Sequence, residues 1–576
     1  MSVAVGFFLA VVLAAKLVVV WQLRDHPLLH PDAGLDTTAY ANLARQVVAG
    51  DLLLGPGLYF VSPFYIYFLA AGLAAFESFT AVRVLQAALG TIAVACVFFS
   101  AHAWFGPRAA WCAAVLAAAT GIFTFYETII IQSSVDAVLT AGALAALTAG
   151  LCGSGARWSA TSAFVLAGTL FGFGILNRPN MFFGVLAVVL AAMAMRRWRA
   201  AALVVAGVGL GIAPVMVRNA AVTGAPALAS SHGGLNLYIG NHAGATGFYR
   251  EVPGIRPLIE GQREDMRRIA STALGREASD AEASSYFAGL ATTWIREHPG
   301  TAAGLFARKL FYIFHAQHVA LPHSYPFYAY DTPSLLRFFV VGPWLLIPLG
   351  LAGLFLVTRD RDLLIWAAFI PGYAVGVAVF FVAERYRLSL LVALTIPAGA
   401  LLDRAWRALT AAPDSRWLLR SGLLVVAIAV AVNWPLRFLD DGRWNEGLRL
   451  AQRLVITGDY QGADAWVERL ERGAPRPGRA HHDLAMQLVV QGQIDRALPH
   501  LRQALDREFV APMDDVEIWL SAARSATRTE GAAAAEPLFR HAVTLAPDRA
   551  AAHQQYGLNL LLLERFEAAA RELDEA

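Results

Sequence analysis

The sequence predicts an all-α protein in two parts, a polytopic transmembrane helical bundle over residues 1–435 and a soluble α-helical solenoid of repeats over 436–576. Three observations predict it. Of 576 residues, 57% are hydrophobic and only 15% charged, and the mean hydropathy is +0.51, a composition that excludes an ordinary water-soluble chain. Apolar stretches of membrane length recur as far as residue 435. Beyond that point the composition turns polar, and apolar positions repeat at 36 residues.

A bilayer core of about 30 Å takes about 20 apolar residues per helix. Stretches that meet this lie near 3–21, 58–76, 83–104, 108–131, 134–151, 160–176, 180–195, 200–217, 335–357, 363–382, 388–403 and 418–435. A bundle of about 11–13 spans is expected. The first stretch lacks a basic segment before it and a small-residue cleavage site, so it reads as a retained helix and not a removed signal peptide.

Placement of charge sets the expected topology. Arg196, Arg197 and Arg199 share one short connection, Arg359 and Arg361 another, and Arg404, Arg407, Arg416 and Arg420 a third. The positive-inside rule puts these on the cytoplasmic side. Residues 219–334, the turn 383–387 and everything after about 436 then fall on the external, periplasmic side of what reads as a bacterial inner membrane. Arg108 also reads cytoplasmic, so alternation through the first half holds only if 108–133 is two short helices or 58–76 is partly inserted. A net charge of +3 implies no nucleic acid partner. Cys96, Cys112 and Cys152 sit in apolar stretches and imply neither a disulfide nor a thiolate metal site.

The first external loop, 22–57, carries Asp25, Asp32, Asp36 and Asp51. After Thr37, the residues Tyr40, Leu43, Ala44 and Val47 recur at helical spacing and Gly50 closes the run, which predicts an amphipathic helix along the membrane surface. Asp36 stands at its start as an N-cap, with one oxygen left to accept a proton.

Several motifs carry a resemblance. Asp36 to Arg45 is followed by Gly57-Leu58-Tyr59-Phe60-Val61-Ser62-Pro63-Phe64-Tyr65, then Leu176-Asn177-Arg178-Pro179-Asn180, Arg218-Asn219-Ala220-Ala221-Val222-Thr223-Gly224, Gly233-Gly234-Leu235-Asn236-Leu237-Tyr238-Ile239-Gly240-Asn241-His242 and Glu384-Arg385-Tyr386-Arg387-Leu388. In this order they resemble the dolichyl-phosphate-mannose-protein mannosyltransferase-like superfamily of glycosyltransferases, which has the GT-C fold. The resemblance implies an enzyme that takes a sugar from a polyprenyl-phosphate donor on the external face, with Asp36 in the place of the catalytic base. Some members have a second acidic residue next to it, where this chain has Thr37.

That chemistry needs a carboxylate to deprotonate the acceptor and fixed cations for the departing phosphate. The expected donor-phosphate residues are Arg178, Arg385 and Arg387, because the arginine fork matches phosphate oxygens. Arg218, Arg308 and Lys309 are further cations at the same face, and membrane anchoring accounts for such residues equally well. Glu127 and Asp136 lie in apolar sequence, where a charge marks function or a buried pair. Glu127 is the preferred second acid, and the two line one cavity only if the helix breaks around Gln132-Ser133-Ser134. Tyr40, Asn241 and His242 complete the candidates, the last two in glycine-rich turns. His232, His242, His315, His318 and His323 match no zinc spacing, so no cofactor is read and a divalent metal has no ligand set in support.

In the tail, Leu484, Leu520 and Tyr556 recur at 36 residues, as do Ala497, Ala533 and Ala569. Gly492-Gln493-Ile494-Asp495-Arg496-Ala497 resembles a tetratricopeptide (TPR) repeat, which implies a concave surface for a protein or peptide partner. Two other readings share these features: a transporter or flippase for lipid-linked sugars, and a non-catalytic membrane scaffold with a partner-binding tail.

Overall fold

The structure is a computed structural model that describes residues 3–153, 159–223, 230–357, 360–411, 413–436, 440–509 and 515–576. Gly224 and Arg359 lie outside the described residues. The chain divides into two compact units, Met1–Asp441 and Gly442–Ala576.

The first unit opens with α1 (Val3–Leu23), α2 (Leu35–Val48), α3 (Pro63–Phe76) and α4 (Phe79–Phe105). α1 is apolar all round apart from Lys16 and Gln22, as a span requires, whereas α2 is amphipathic and short. Tyr65 of α3 donates to Gln86 of α4 at 2.8 Å, and Gly72 packs on Val82. α3 therefore folds back along the first turns of α4, and both its ends lie where α4 begins. The stretch 58–76, expected as a span, holds a 14-residue apolar helix that packs on α2 and on the first turns of α4.

The next elements are α5 (Pro107–Ala118), α6 (Gly121–Glu127), α7 (Asp136–Cys152), α8 (Ala160–Asn177), α9 (Met181–Ala194) and α10 (Trp198–Thr223). α5 and α6 run in series as one crossing interrupted at Thr120. The backbone is non-α-helical between Glu127 and Asp136, with a 3₁₀ turn at Gln132–Val135, so the two carboxylates sit at separate helix ends. α8 and α10 approach closely through Gly168 and Gly172 on one and Gly207 and Gly211 on the other. A Cβ on Gly168 would stand 2.1 Å from the Val204 carbonyl oxygen. Small residues four apart on both helices give the close contact on which apolar helices in lipid rely.

Between α10 and the last spans lie α11 (Gly233–Gly240), α12 (Ile259–Leu274), α13 (Asp280–Glu297) and α14 (Pro299–Ile313). Leu235, Ile239, Met266, Ala270 and Phe287 form a core here that also takes in Phe381. A Ser279–Glu282 capping box starts α13, and Arg263 pairs with Asp280 at 2.5 Å.

The unit closes with α15 (Pro343–Val357), α16 (Arg361–Ala367), α17 (Phe369–Val379), α18 (Leu388–Thr410) and α19 (Ser415–Val432). α18 is the axis of the bundle, with 83% of its span buried, and α19 lies on the outside with 11%. Eight segments are long and apolar enough to cross a membrane. Adding α9, α15 and the joined α5–α6 gives eleven crossings among the described residues.

The basic connections share one end of this bundle. Arg197 bonds Asp362 at 2.5 Å, joining the α9–α10 turn to α16, and Gly399 of α18 packs on Ala109 and Ala113, bringing the Arg108 turn beside the Arg404 and Arg407 end. With α3 left out and α5–α6 counted as one crossing, the basic connections alternate as the positive-inside rule requires.

The second unit contains α20 (Arg443–Thr457), α21 (Tyr460–Glu471), α22 (Arg479–Val490), α23 (Ile494–Asp506), α24 (Val516–Thr529), α25 (Ala532–Leu545), α26 (Ala550–Leu562) and α27 (Phe566–Glu575). They form four successive helix hairpins over one continuous core. Leu484, Leu520, Tyr556, Ala497 and Ala569 are buried in it. Ala533 is exposed and Ala535 is buried instead, because α25 starts one residue after the left-handed Gly531 and its inward face is shifted.

Candidate active site

Asp36 lies in the first turn of α2 but does not cap it. The cap is Gly34, whose φ of +89° suits glycine, and Leu35 follows at φ +60°. The amide of Gly34 donates to Thr38 Oγ1 at 2.7 Å. The N-cap role expected for Asp36 is thus corrected, since Gly34 and Leu35, both at positive φ, start the helix two residues earlier. The carboxylate is left to pair with Arg385, 349 residues away, and stays partly open, with 20% of the Asp36 side chain and 11% of the Arg385 side chain exposed.

Arg385 stands in the short 3₁₀ turn Glu384–Tyr386, and its guanidinium lies 5.4 Å from the Tyr386 ring centre. Arg178 lies 4.8 Å from the same ring. Arg178 donates to Asp136 at 2.8 Å and to Ser133 Oγ at 2.9 Å, while Asn177 holds the other Asp136 oxygen at 2.8 Å. One turn beyond Asp36, the buried Tyr40 donates its hydroxyl to Gln132. Burial first, then the Asp36 carboxylate, pushes that phenol above its ordinary range, so it remains a donor.

The two expected acids separate. Asp136 joins the cluster through Arg178, whereas Glu127, the preferred supporting acid, faces α1. Lys16 Nζ donates to both Glu127 oxygens at 2.6 and 2.8 Å and to Thr124 at 3.2 Å. Gly90 leaves room for that carboxylate: a Cβ there would lie 2.0 Å from Oε1.

Arg387, fully buried, donates to Glu384 at 2.5 Å, to the Gln317 carbonyl at 3.0 Å and to the His315 carbonyl. Glu384 also accepts from the Val319 amide at 3.1 Å and contacts His318 at 3.1 Å. Burial raises its carboxyl, but Arg387 and His318 outweigh it and hold it at about 2, so the pair stays ionised.

The remaining candidates build the walls. Arg218 holds the 53–57 loop through the carbonyls of Leu53 at 3.0 Å, Gly55 at 3.0 Å and Gly57 at 2.6 Å, and does not join the Asp36 cluster. Asn241 ties α11 to Val379, donating to its carbonyl at 2.8 Å, and accepts from Lys309 at 3.0 Å. His242 stacks on Tyr238 at 5.2 Å at the surface, and Arg308 is exposed. Among the described residues no group of three or more His, Cys, Asp or Glu is placed to hold a metal ion.

Two predictions arise here. Gly234 opens α11 against α13, where a Cβ would lie 1.8 Å from the Ser284 carbonyl oxygen. Gly234→Ala is expected to cost about 1–3 kcal/mol by overpacking, read as a lower unfolding temperature in detergent; an unchanged temperature would refute the tight contact. Lys309 is pushed down to about 7 by burial. Between that pH and about 10, where a free lysine titrates, the unfolded chain carries a proton that the folded one lacks. Stability should therefore rise as the pH goes from 7 to 9, and Lys309→Met should remove the rise; equal slopes in both proteins would contradict it.

Beneath the cluster lies an apolar cavity of about 630 Å³ between α3, α4, α7 and α8, lined by residues such as Phe64, Phe68, Ile92, Leu139 and Phe173 and by no charged side chain. Val135 is part of its wall, and the next residue, Asp136, holds Arg178.

A bundle of apolar helices with a carboxylate–arginine cluster at one face is the frame of an integral membrane protein. Residues 61–219 match the family described as dolichyl-phosphate-mannose-protein mannosyltransferase. Among solved structures the chain is similar to ArnT from Cupriavidus metallidurans bound to undecaprenyl phosphate, at 16% identity and a TM-score of 0.37 over 89% of this chain and 80% of that one. The same protein in the apo state gives 16% identity and a TM-score of 0.39, over 91% and 81%. The archaeal oligosaccharyltransferase AglB from Archaeoglobus fulgidus, in complex with an inhibitory peptide and a dolichol-phosphate, gives 16% and 0.34, over 81% and 60%. No curated protein matches the sequence.

Proposed function

We propose that the chain transfers a hexosyl group from a polyprenyl-phosphate sugar to a hydroxyl or amide acceptor on the external face of a bacterial inner membrane, with Asp36 as general base. The observation that carries this is the partly open Asp36–Arg385 pair beside the Arg178–Asp136 pair, at the end of the bundle opposite the basic connections. Asp36 takes the acceptor proton while the acceptor attacks the anomeric carbon. The bond from that carbon to the phosphate oxygen breaks, and the phosphate leaves with the electron pair. Arg385 and Arg178 oppose the growing negative charge. The apolar cavity under Asp136 suits the polyprenyl chain of such a donor. The helix hairpins of the second unit, read as TPR-like, would present a surface to a protein or peptide partner on the external side.

Proteoliposomes carrying labelled polyprenyl-phosphate sugars test this. Label should move to an acceptor supplied on the face of Asp36. Label that crosses the bilayer without transfer would establish the flippase reading, and neither outcome with any donor would leave the scaffold.

A further inference from the structure

Among the described residues, the three arginines of the site are already matched to carboxylates: Arg178 to Asp136, Arg385 to Asp36 and Arg387 to Glu384. A phosphate entering this cluster meets guanidinium forks that are partly filled, so the donors left over decide how it is held. Among the described residues, buried Arg385 Nε and Arg387 Nε have no partner, and neither does the hydroxyl of Tyr126.

Tyr126 sits at the end of α6 with 1% exposure, close enough to Arg178, Arg385, Arg387 and Glu384 to feel their charges. The backbone that carries it is held in place. Gln86 Nε2 clamps the following backbone at the carbonyls of Glu127, 2.7 Å, and Ile129, 3.1 Å, and the Lys16–Glu127 pair anchors the next side chain. A Cβ on Gly121, at the start of the same helix, would lie 2.2 Å from the Tyr325 hydroxyl, so that end is packed tight as well. A buried donor left unsatisfied destabilises a fold, and phenylalanine would fill this space without that penalty. The hydroxyl is thus placed for something that enters the site, and the three guanidinium groups of Arg385, Arg178 and Arg387, set against the one Glu384 carboxylate, favour an anion.

We infer that the Tyr126 hydroxyl donates a hydrogen bond to the phosphate of the lipid-linked donor. The inference rests on the proposed function and adds a residue that touches the leaving group. The proton stays on the phenol throughout. Its hydrogen bond strengthens as the bond between sugar and phosphate breaks and charge collects on the phosphate, so its removal lowers kcat more than it raises KM.

The test compares wild type with Tyr126→Phe in two measurements, the unfolding temperature with and without polyprenyl phosphate, and transfer from the labelled donor. The variant is expected to be at least as stable as wild type without the lipid, to gain less stability from it, and to transfer about 10²-fold more slowly, the loss typical of one such donor. Equal stabilisation by the lipid and equal transfer in both proteins would overturn the role of Tyr126 and leave the proposed function standing. A variant less stable before any lipid is added would also overturn it, because the hydroxyl would then serve the fold. Absence of both lipid stabilisation and transfer in the wild type would overturn the proposed function and this inference together.

Discussion

Asp36→Asn is expected to lower sugar transfer by about 10²–10⁴-fold, the range removed with a positioned general base, while the protein accumulates and folds as before. An asparagine carbonyl still accepts from Arg385, so the geometry across the α2–α18 junction persists, but it cannot take a proton from the acceptor. The pair is partly open to solvent, with 20% of the Asp36 side chain exposed, so its contribution to stability is small. Transfer from a labelled polyprenyl-phosphate sugar, measured at equal protein abundance, decides it. Retention of more than a tenth of wild-type transfer would remove Asp36 from the role of base.

Lys16→Met is expected to destabilise the bundle by about 3–5 kcal/mol, because it leaves the Glu127 carboxylate buried without its cation. Both side chains are about 2% exposed and only 2.6 Å apart. The double variant Lys16→Met with Glu127→Gln should recover most of the loss, since a buried pair contributes little beyond its apolar replacement. Thermal unfolding in detergent measures the cycle. The double variant also separates two roles of Glu127: if it transfers sugar normally, the residue is a packing partner of α1; if it is stable and inactive, Glu127 acts on the substrate despite its position.

Much of the bundle was legible because lipid imposes a simple rule. Each span must be apolar over membrane length, and that pattern survives without any knowledge of neighbours. The rule could not foretell how 58–76 packs, a short apolar helix set against α2, α4 and α8. It also left 108–131 open, where a break at Thr120 divides one crossing into two helices. In the site, the motifs drew attention to Asp36, Arg178 and Arg385. Tyr126 carried no signal, since an isolated tyrosine in an apolar run looks like core. Lys16 did carry one: a lysine in the middle of a span calls for a buried carboxylate partner, and its partner is Glu127 rather than anything in the first loop.

By itself the sequence determined the all-helical membrane bundle, because apolar length and helical period follow from local composition. Only the tertiary structure decided which charges meet. Asp36 with Arg385, Arg178 with Asp136 and Lys16 with Glu127 are joined across 349, 42 and 111 residues. Several acids and bases of similar type compete for each partner along the chain, and helix packing alone brings one of them within hydrogen-bond reach.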